Sequence, residues 1–282
     1  MDSKLYIDKD QAIELGLCKE GQVWDEGEAL SLKQLLRKRD GKIQGNLRIS
    51  TKSKNPLAGL KEITGDLDLR DCKMIESLPD GLKIGGNLIM QDNRAFKSLP
   101  SGLQIGGDLV LTKLDLNRLP KDLRVGRNVM LTQISSLNTL PDDFEVAGSL
   151  WVNYSDLIKL PESLKVGGRI GLTHNTMLAS LPQNLKVNGD LNLYGCKDLK
   201  SLPQNLEVKG NLTLEGCSSL KSLPSGLCVG KDLDASNVNI RDIPKNIRVG
   251  GRIKLPALTC NGSLLAKIID SLSESDLQPV KD

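Results

Sequence analysis

A Leu-Pro or Ile-Pro dipeptide that recurs every 20 or 21 residues sets the size of the repeating segment in this chain. The prolines of these dipeptides are Pro79, Pro100, Pro120, Pro141, Pro161, Pro182, Pro203, Pro224 and Pro244. Such regular spacing predicts a solenoid, in which each repeat packs only against its neighbours and one core runs through the stack. Aromatic residues make up only 2% of the 282 residues, so Leu, Ile and Val must fill that core.

Each repeat begins with a glycine and continues with a short alternation of polar and apolar residues. The glycine column consists of Gly45, Gly65, Gly86, Gly107, Gly148, Gly168, Gly189, Gly210 and Gly251, with Arg127 and Lys231 at the same position in two further repeats. The segment Asp190-Leu191-Asn192-Leu193 illustrates the alternation, which predicts a short, half-buried strand. Stacked repeats place such strands about 4.8 Å apart in a parallel sheet, with the Leu residues pointing inward.

A column of Cys or Asn follows the strand in several repeats. Its members are Cys72, Asn93, Asn175, Cys196 and Cys217. We expect these side chains to point inward, with Asn satisfying backbone groups at the turn and Cys acting as a small apolar filler. The rest of the repeat is too short for a long helix, and proline after Leu favours an extended or turning chain. The convex side is therefore predicted to consist of extended segments and short turns.

The complete repeat reads G-x-L-x-L-x-x-C/N-x-x-L-x-x-L-P-x-x-L-x-V and resembles the leucine-rich repeat. The resemblance covers residues 43–255, which hold about 10–11 repeats. It implies an α/β repeat fold, a leucine-rich-repeat solenoid with a curved parallel β-sheet on the concave face. The first repeat, from Gly45 to Ile63, lacks Leu-Pro, as expected of a terminal repeat that meets a cap.

Helical caps are expected at both ends, because an uncapped solenoid exposes its core and an open sheet edge. Residues 1–42 are predicted to form an N-terminal cap with two helices, the second at about residues 26–39. Trp24 precedes that helix and is interpreted as an anchor in the core of the cap. Residues 256–282 are predicted to form a C-terminal cap helix that begins after Asn261, followed by a polar tail.

The sequence favours a binding protein over an enzyme. Its one histidine is His174, and it contains no HExxH motif, phosphate-binding loop or dinucleotide-binding fingerprint. No cysteine has a histidine close in sequence, so we expect no catalytic group, metal, cofactor or small-molecule substrate. The 38 basic and 35 acidic residues are nearly balanced, which argues against nucleic acid as the partner.

The sequence also predicts no transmembrane helix and no secretory signal peptide. No apolar stretch approaches the roughly 18 residues of a transmembrane helix, and the first residues lack the apolar region of a secretory signal peptide. The six cysteines form no CxxC pair. We therefore expect free thiols and a reducing, soluble compartment.

The outward strand positions on the concave face predict where a partner binds. The central column is apolar over four successive repeats, at Ile89, Val110, Met130 and Trp151, a stripe roughly 15 Å long at strand spacing. Polar and ring-bearing residues lie just beyond it, at Asn153, Tyr154, His174 and Tyr194, and Asp68 and Arg70 are candidates for its rim. Single exposed apolar residues are ordinary, but this clustering is typical of a protein interface.

The repeat also resembles those of the leucine-rich-repeat effectors that intracellular or pathogenic Gram-negative bacteria deliver into host cells. This resemblance implies a host protein as partner, and residence first in the bacterial cytoplasm and then in the host cytoplasm. Some members carry a ubiquitin-ligase domain with a Cys-x-Asp nucleophile, which does not occur after Leu255, so the binding-only kind is implied. The acidic, serine-rich tail, with Glu274, Asp276 and Val280, resembles a type IV secretion signal.

An alternative function is open at this point. The chain fits equally an endogenous bacterial scaffold or adaptor that never leaves the cell. An enzyme, or the substrate-recognition half of a ubiquitin ligase, is disfavoured because the catalytic groups are missing from the sequence.

Overall fold

The computed structural model describes residues 36–37, 39–50, 52–240 and 243–255. These residues form a parallel β-solenoid of about ten turns with a spacing of about 21 residues, which confirms the predicted repeat. The chain divides into two compact units, an N-terminal unit that ends at Ile134 and a C-terminal unit that begins at Ser135.

Two strands from each repeat enter two different sheets. The strands of the N-terminal unit are β1 (Lys42–Ile43), β2 (Leu47–Arg48), β3 (Glu62–Ile63), β4 (Leu67–Leu69), β5 (Lys83–Ile84), β6 (Leu88–Gln91), β7 (Gln104–Ile105), β8 (Leu109–Thr112), β9 (Arg124–Val125) and β10 (Val129–Thr132). Even-numbered strands pair in chain order as the main sheet, and odd-numbered strands pair in chain order as a second sheet. All of these pairs are parallel.

The C-terminal unit repeats the same alternation. Its strands are β11 (Glu145–Val146), β12 (Leu150–Asn153), β13 (Lys165–Val166), β14 (Ile170–Gly171), β15 (Lys186–Val187), β16 (Leu191–Asn192), β17 (Glu207–Val208), β18 (Leu212–Thr213), β19 (Cys228–Val229), β20 (Leu233–Asp234), β21 (Arg248–Val249) and β22 (Ile253–Lys254). Even-numbered strands again belong to the main sheet. Among the odd-numbered strands, β11 pairs with β13, while β15, β17, β19 and β21 form a four-stranded sheet. The extended segments predicted after Leu-Pro are thus strands of sheets separate from the main sheet.

Equivalent residues of successive repeats lie side by side, so that each repeat position becomes a column. In the main sheet, Leu191 pairs with Leu212, and Asn192 pairs with Thr213. Leu191 and Leu193 are fully buried while Asn192 between them is half-exposed, as the alternation predicts. The core is aliphatic, and burial of each Leu or Val contributes about 1.5–3 kcal/mol to stability.

A ladder of side-chain oxygens links the repeats at the start of the main strand. In each step, the side-chain oxygen accepts a hydrogen bond from the backbone N–H of the equivalent residue in the next repeat. The N–H of Asn87 donates to Asp66 Oδ1 at 2.6 Å, and the N–H of Asp108 donates to Asn87 Oδ1 at 2.7 Å. The accepting residues are Asn46, Asp66, Asn87 and Asp108 in the N-terminal unit, and Ser149, Asp190, Asn211 and Asp232 in the C-terminal unit.

At two glycines of the column, the ladder oxygen occupies the space that a side chain would need, although ladder steps also form beside Arg127 and Lys231. A Cβ at Gly86 would lie 2.1 Å from Asp66 Oδ1, and one at Gly107 would lie 2.4 Å from Asn87 Oδ1. Neither glycine has a positive φ. The requirement is therefore steric, since real Cβ atoms do not approach an oxygen this closely.

The Cys and Asn column is buried and hydrogen-bonded. The Cys196 thiol donates to the carbonyl of Leu172 at 3.0 Å, and the Cys217 thiol donates to that of Leu193 at 3.1 Å. Asn175 Nδ2 also donates to the Leu172 carbonyl, at 2.8 Å, but its buried Oδ1 has no partner. Cysteine thus does more than fill space: it satisfies a strand carbonyl with a single weak donor and leaves no second polar atom to bury.

The predicted helical caps fall largely outside the described residues. This holds for residues 1–35, which include Trp24, and for residues 256–282. At the edge of the described region, Leu36 is buried and its carbonyl accepts a hydrogen bond from the N–H of Gly41 at 2.8 Å. Asp40 between them has a φ of 48°. This combination commonly ends a helix, and the caps themselves stay a prediction.

The coupling between ladder and glycine column yields a stability prediction. Gly86→Ala forces the new methyl group against Asp66 Oδ1 and displaces that ladder step, so we expect a loss of about 1–3 kcal/mol in the free energy of unfolding. Urea denaturation followed by circular dichroism measures it. Arg127→Ala is the matched control, because that repeat already carries a side chain in the column. Equal midpoints for Gly86→Ala and the parent protein would contradict the steric argument.

Candidate partner-binding face

The predicted apolar stripe lies on the outward face of the main sheet. In the N-terminal unit, Ile89 pairs with Val110, and Val110 pairs with Met130, so their side chains stand in adjacent strands. Met130 is 39% exposed, and Ile89 and Val110 are partly exposed. The fourth member, Trp151, belongs to the C-terminal unit.

The predicted rim residues Asp68 and Arg70 form an ion network with Arg48. Asp68 is 9% exposed, and its carboxylate accepts bonds from Arg70 Nε at 3.0 Å and Arg70 Nη2 at 2.7 Å. Arg48 Nε lies 3.7 Å from the same carboxylate. Burial alone would raise the pKa of Asp68, but the bonds from Arg70 and the charge of Arg48 bring it below the usual value. Asp68 therefore holds Arg70 in place, and of the two Arg70 is better exposed to a partner.

Trp151 lies over a glycine of the next repeat. A Cβ at Gly171 would lie 2.4 Å from Trp151 Cδ1 and 3.1 Å from its Nε1. Glycine within a strand costs about 0.5–1 kcal/mol relative to alanine. At this position it makes room for the indole, which rests on the sheet and is only partly exposed. The ring is held in place before any partner arrives.

The residue after the main strand adopts left-handed backbone angles in repeat after repeat. Non-glycine residues with positive φ in this column are Asp92, Lys113, Gln133, Tyr154, His174 and Asn237. Gly195 and Gly216 occupy the same column with φ values of 72° and 76°. A non-glycine residue in this conformation costs about 1–2 kcal/mol in conformational free energy. Tyr154 and His174 carry this cost at positions where the fold also accepts glycine.

Three rings meet in this part of the C-terminal unit. Tyr154 and His174 stack with ring centroids 4.5 Å apart and planes 21° apart. Tyr194 meets His174 edge to face at 5.0 Å. His174 fills the space above Gly195, where a Cβ would lie 2.8 Å from its Nδ1. Tyr154 remains 52% exposed and Tyr194 39% exposed.

Two asparagines border these rings with fixed orientations. Asn153 Oδ1 accepts a bond from the N–H of Thr173 at 2.9 Å, and Asn192 Oδ1 accepts one from the N–H of Tyr194 at 3.0 Å. Each amide oxygen accepts one backbone hydrogen bond, which fixes the orientation of the side chain. We call the six residues Trp151, Asn153, Tyr154, His174, Asn192 and Tyr194 the aromatic patch.

The exposed apolar surface extends beyond the predicted residues. Ile158 is 42% exposed and Met177 is 47% exposed, and both lie in loops of the repeats that carry Tyr154 and His174. The backbone N–H of Ala179 donates to the carbonyl of Ile158, which brings these two loops together. The sequence pattern missed both residues because loop positions vary between repeats. The contacts of Asn192 with Tyr194 and of Gly171 with Trp151 were also outside the sequence prediction, because they depend on the pairing of neighbouring repeats and on side-chain orientation.

The described residues contain no group of three or more His, Cys, Asp or Glu side chains arranged to hold a metal ion. Burial raises the pKa of the Cys196 thiol to about 11 and that of Cys217 to about 12, so both stay protonated near neutral pH. Cys228 is partly exposed, and Cys18 and Cys260 lie outside the described residues.

A shallow groove of about 550 Å³ runs along the second sheet of the N-terminal unit. Lys83, Gln104 and Arg124 stand along it, over a floor that includes Gly85 and Gly106. Ligand pockets usually enclose most of their ligand, whereas this groove is open. It is separate from the outward face of the main sheet.

Comparisons with models of known families, with curated proteins and with solved structures found no match. No helix in residues 36–255, as far as they are described, has the length and apolar character needed to cross a membrane.

The buried thiols should be chemically inert in the folded protein. Because Cys196 and Cys217 are buried and their pKa values are raised, we expect iodoacetamide at neutral pH to modify Cys228 at least tenfold faster than either. Peptide mass mapping over time measures the rates, and the urea-unfolded chain serves as the control in which all three react alike. Rapid native modification of Cys196 or Cys217 would contradict the assignment.

Proposed function

We propose that this chain is a leucine-rich-repeat protein that binds another protein through the outward face of its main sheet. The supporting observation is the concentration of exposed apolar side chains on that face and in loops of the same repeats. Among the described residues, the exposed large apolar side chains are Met74, Met130, Tyr154, Ile158, Met177 and Tyr194, and four of them fall between residues 154 and 194. Clustered exposure of this kind marks interaction sites more often than scattered single residues do.

The composition of this surface suits a protein partner. Trp and Tyr offer large, rigid contact area with a polar tip, and Asn offers hydrogen bonds. Arg70, held by Asp68, provides a fixed guanidinium at the other end of the N-terminal stripe. Aromatic residues and Arg are the types that carry most of the binding energy in protein interfaces.

We further propose that the protein is a bacterial effector and that its partner is a host protein. The support is the resemblance of the 20 or 21-residue repeats to those of effectors and the acidic, serine-rich tail at residues 273–282. In this proposal the chain is made in the bacterial cytoplasm and acts in the host cytoplasm, without catalytic activity of its own.

The runner-up proposal is an endogenous bacterial scaffold or adaptor that uses the same face. A role as an enzyme, or as the substrate-recognition half of a ubiquitin ligase, is weaker. The thiols of Cys196 and Cys217 are buried and protonated near neutral pH, and His174 is engaged with two tyrosines.

Charge substitutions on the two parts of this face test the binding proposal. Met130→Glu and Trp151→Glu each place a carboxylate where apolar contact is expected, so we expect at least about tenfold weaker capture of a protein from eukaryotic lysate. Quantitative mass spectrometry of the captured proteins, with purified native and variant chains, provides the measurement.

Gln104→Glu is the matched control, because Gln104 is an exposed residue of β7 in the second sheet and lies outside the outward face of the main sheet. Circular dichroism and thermal melting must show that all variants are folded. Equal capture by the native chain and both test variants would show that the binding site does not lie on this face. Specific capture from bacterial lysate alone would favour the scaffold.

Deletion of the tail distinguishes the proposal of a translocated effector from that of a scaffold that stays in the bacterial cell. Removing residues 273–282 should abolish delivery of an enzymatic reporter fusion into host cells if the tail is a type IV signal. The melting temperature should stay within about 2 °C, because the core residues of the described repeats are untouched. Unchanged delivery of the tail-deleted fusion would contradict the proposed secretion signal. If the intact fusion is not delivered either, the scaffold becomes the better proposal.

A further inference from the structure

We propose that the rings of the aromatic patch and the neighbouring Glu215 bind an arginine side chain of the partner protein. This inference rests on the proposed function, since it names one group that the outward face of the main sheet would recognise. Three observations on the C-terminal unit lead to it: a carboxylate without a cationic partner, an open space beside that carboxylate, and rings in mutual contact that the fold does not require.

Glu215 lies beside Tyr194 on the outward face. Asn192 pairs with Thr213 in the main sheet, and the backbone N–H of Gly195 donates to the carbonyl of Glu215 at 2.9 Å. In this register Tyr194 and Glu215 are neighbours in adjacent repeats, about 4.8 Å apart at strand spacing. Tyr194 is exposed and Glu215 is partly exposed, so a carboxylate stands at one edge of the ring cluster.

The charge of Glu215 is not balanced on this face. Over residues 48–254, the central column and the column two residues after it hold three carboxylates. Asp68 is paired with Arg70 at 2.7 Å and Asp234 with Lys254 at 3.1 Å, whereas Glu215 forms no ion pair with a described residue. The pair of Asp68 and Arg70 shows that a guanidinium can lie against a carboxylate on this face.

The same two columns contain no lysine or arginine between residues 151 and 237. The nearby Arg169 belongs to the column at the start of the main strand, and its Nε lies 3.1 Å from the carboxylate of Asp190. A partner that brings a cation to Glu215 therefore meets no opposing positive charge in these two columns, and the face is complementary to it.

An open space lies next to Glu215, above Gly216. Apart from its own chain neighbours, a Cβ at Gly216 would approach the backbone of Gly195 alone, at 3.4 and 3.5 Å. The equivalent space in the preceding repeat, above Gly195, is filled by the His174 ring. In the following repeat, Asn237 Nδ2 donates to Glu215 Oε1 at 3.3 Å. The open space thus lies between the ring cluster and the polar pair of Glu215 and Asn237.

The rings form a platform rather than a cage. The ring centroids of Tyr154 and His174 are 4.5 Å apart, and those of His174 and Tyr194 are 5.0 Å apart, so no ligand group fits between them. A bound cation must lie on an outer face of a ring. A guanidinium is planar, stacks on aromatic faces and offers paired N–H donors to a carboxylate, whereas an ammonium is a compact point charge. These properties favour arginine over lysine.

The fold does not require these rings. Gly195 and Gly216 show that the left-handed column accepts residues without a side chain, and Asn237 shows that it accepts a small polar one. Tyr154 and His174 carry large rings in the same strained conformation. Strained, bulky residues at exposed positions point to a binding role.

Other ligands match fewer of these observations. An acidic peptide, a phosphate group or a nucleic acid would be repelled by Glu215. A purely apolar segment would bury that carboxylate without a partner, which costs free energy. A sugar could stack on a ring and donate to the carboxylate, but it would leave the charge unbalanced.

The test uses His174 as the reporter, because it is the single histidine of the chain. Nuclear magnetic resonance follows its ring signals in the full chain with isotope-labelled histidine, while a blocked glycine–serine peptide with one central arginine is added. We expect signal shifts that saturate. The same peptide with citrulline, which has the shape of arginine without its charge, should bind at least about tenfold more weakly. The lysine peptide should also bind more weakly than the arginine peptide.

Glu215→Gln removes the charge and keeps the size of the side chain, so we expect at least about tenfold weaker binding of the arginine peptide. The matched control is Glu207→Gln, the same change at an exposed residue of β17, outside the main sheet. It should leave the affinity unchanged. Circular dichroism and thermal melting must show that both variants are folded.

Four outcomes would each overturn the inference. They are the absence of saturable shifts with the arginine peptide, equal affinity for the citrulline or lysine peptide, unchanged affinity in Glu215→Gln, and equally tight binding of a linear oligosaccharide at the same signals.

The experiments separate this inference from the proposed function. If the arginine peptide fails to bind but Trp151→Glu still abolishes capture of a protein, the face binds its partner through other groups and only the present inference falls. If capture depends neither on Met130 and Trp151 nor on Glu215, both fall.

Discussion

In most of the described repeats, one side-chain oxygen holds successive turns in register. The oxygen of Asp66 occupies the space next to Gly86, and that of Asn87 does the same next to Gly107, while each accepts the backbone N–H of the following repeat. A repeat shifted along the stack would lose this bond and drive a Cβ into an oxygen. The columns of Leu, Val, Cys and Asn beneath depend on that alignment, because each must meet its equivalent in the next turn.

The same regularity separates structural from functional residues. Inward columns hold mostly Leu, Ile and Val, with Cys and Asn in one column and single Phe, Met and Ala residues elsewhere, and these residues satisfy packing or a strand carbonyl. Outward columns are free of that constraint and range from Asp68 to Trp151 to Thr213. Outward-facing residues that the fold does not require are therefore the best indicators of a binding function. Gly171 under Trp151 and the left-handed Tyr154 and His174 are of this type.

The sequence alone predicted the repeat length, the main-sheet strands and the buried Cys and Asn column. These features follow from the local spacing and alternation of residues, which are visible in the sequence itself. It did not reveal that the segment after Leu-Pro pairs as a second sheet, since two-residue strands have no measurable periodicity. The ion network of Asp68 and the stacking of Tyr154 on His174 also escaped it, because both join residues within a repeat or across repeats through side-chain orientation. The helical caps stay predictions, as they lie outside the described residues.

The order of residues in the oxygen ladder has a consequence for how such a chain can lengthen. In the N-terminal unit Asn46, Asp66, Asn87, Asp108 and Asn128 alternate between amide and carboxylate. In the C-terminal unit Ser149 and Arg169 interrupt this order, and Asp190, Asn211 and Asp232 alternate again. Adjacent carboxylates would repel at a spacing of about 4.8 Å, whereas alternation doubles their separation to about the screening length of physiological salt. Within each of these two runs, insertion of a pair of repeats would keep the carboxylates apart, whereas insertion of a single repeat ending in Asp would bring two of them together.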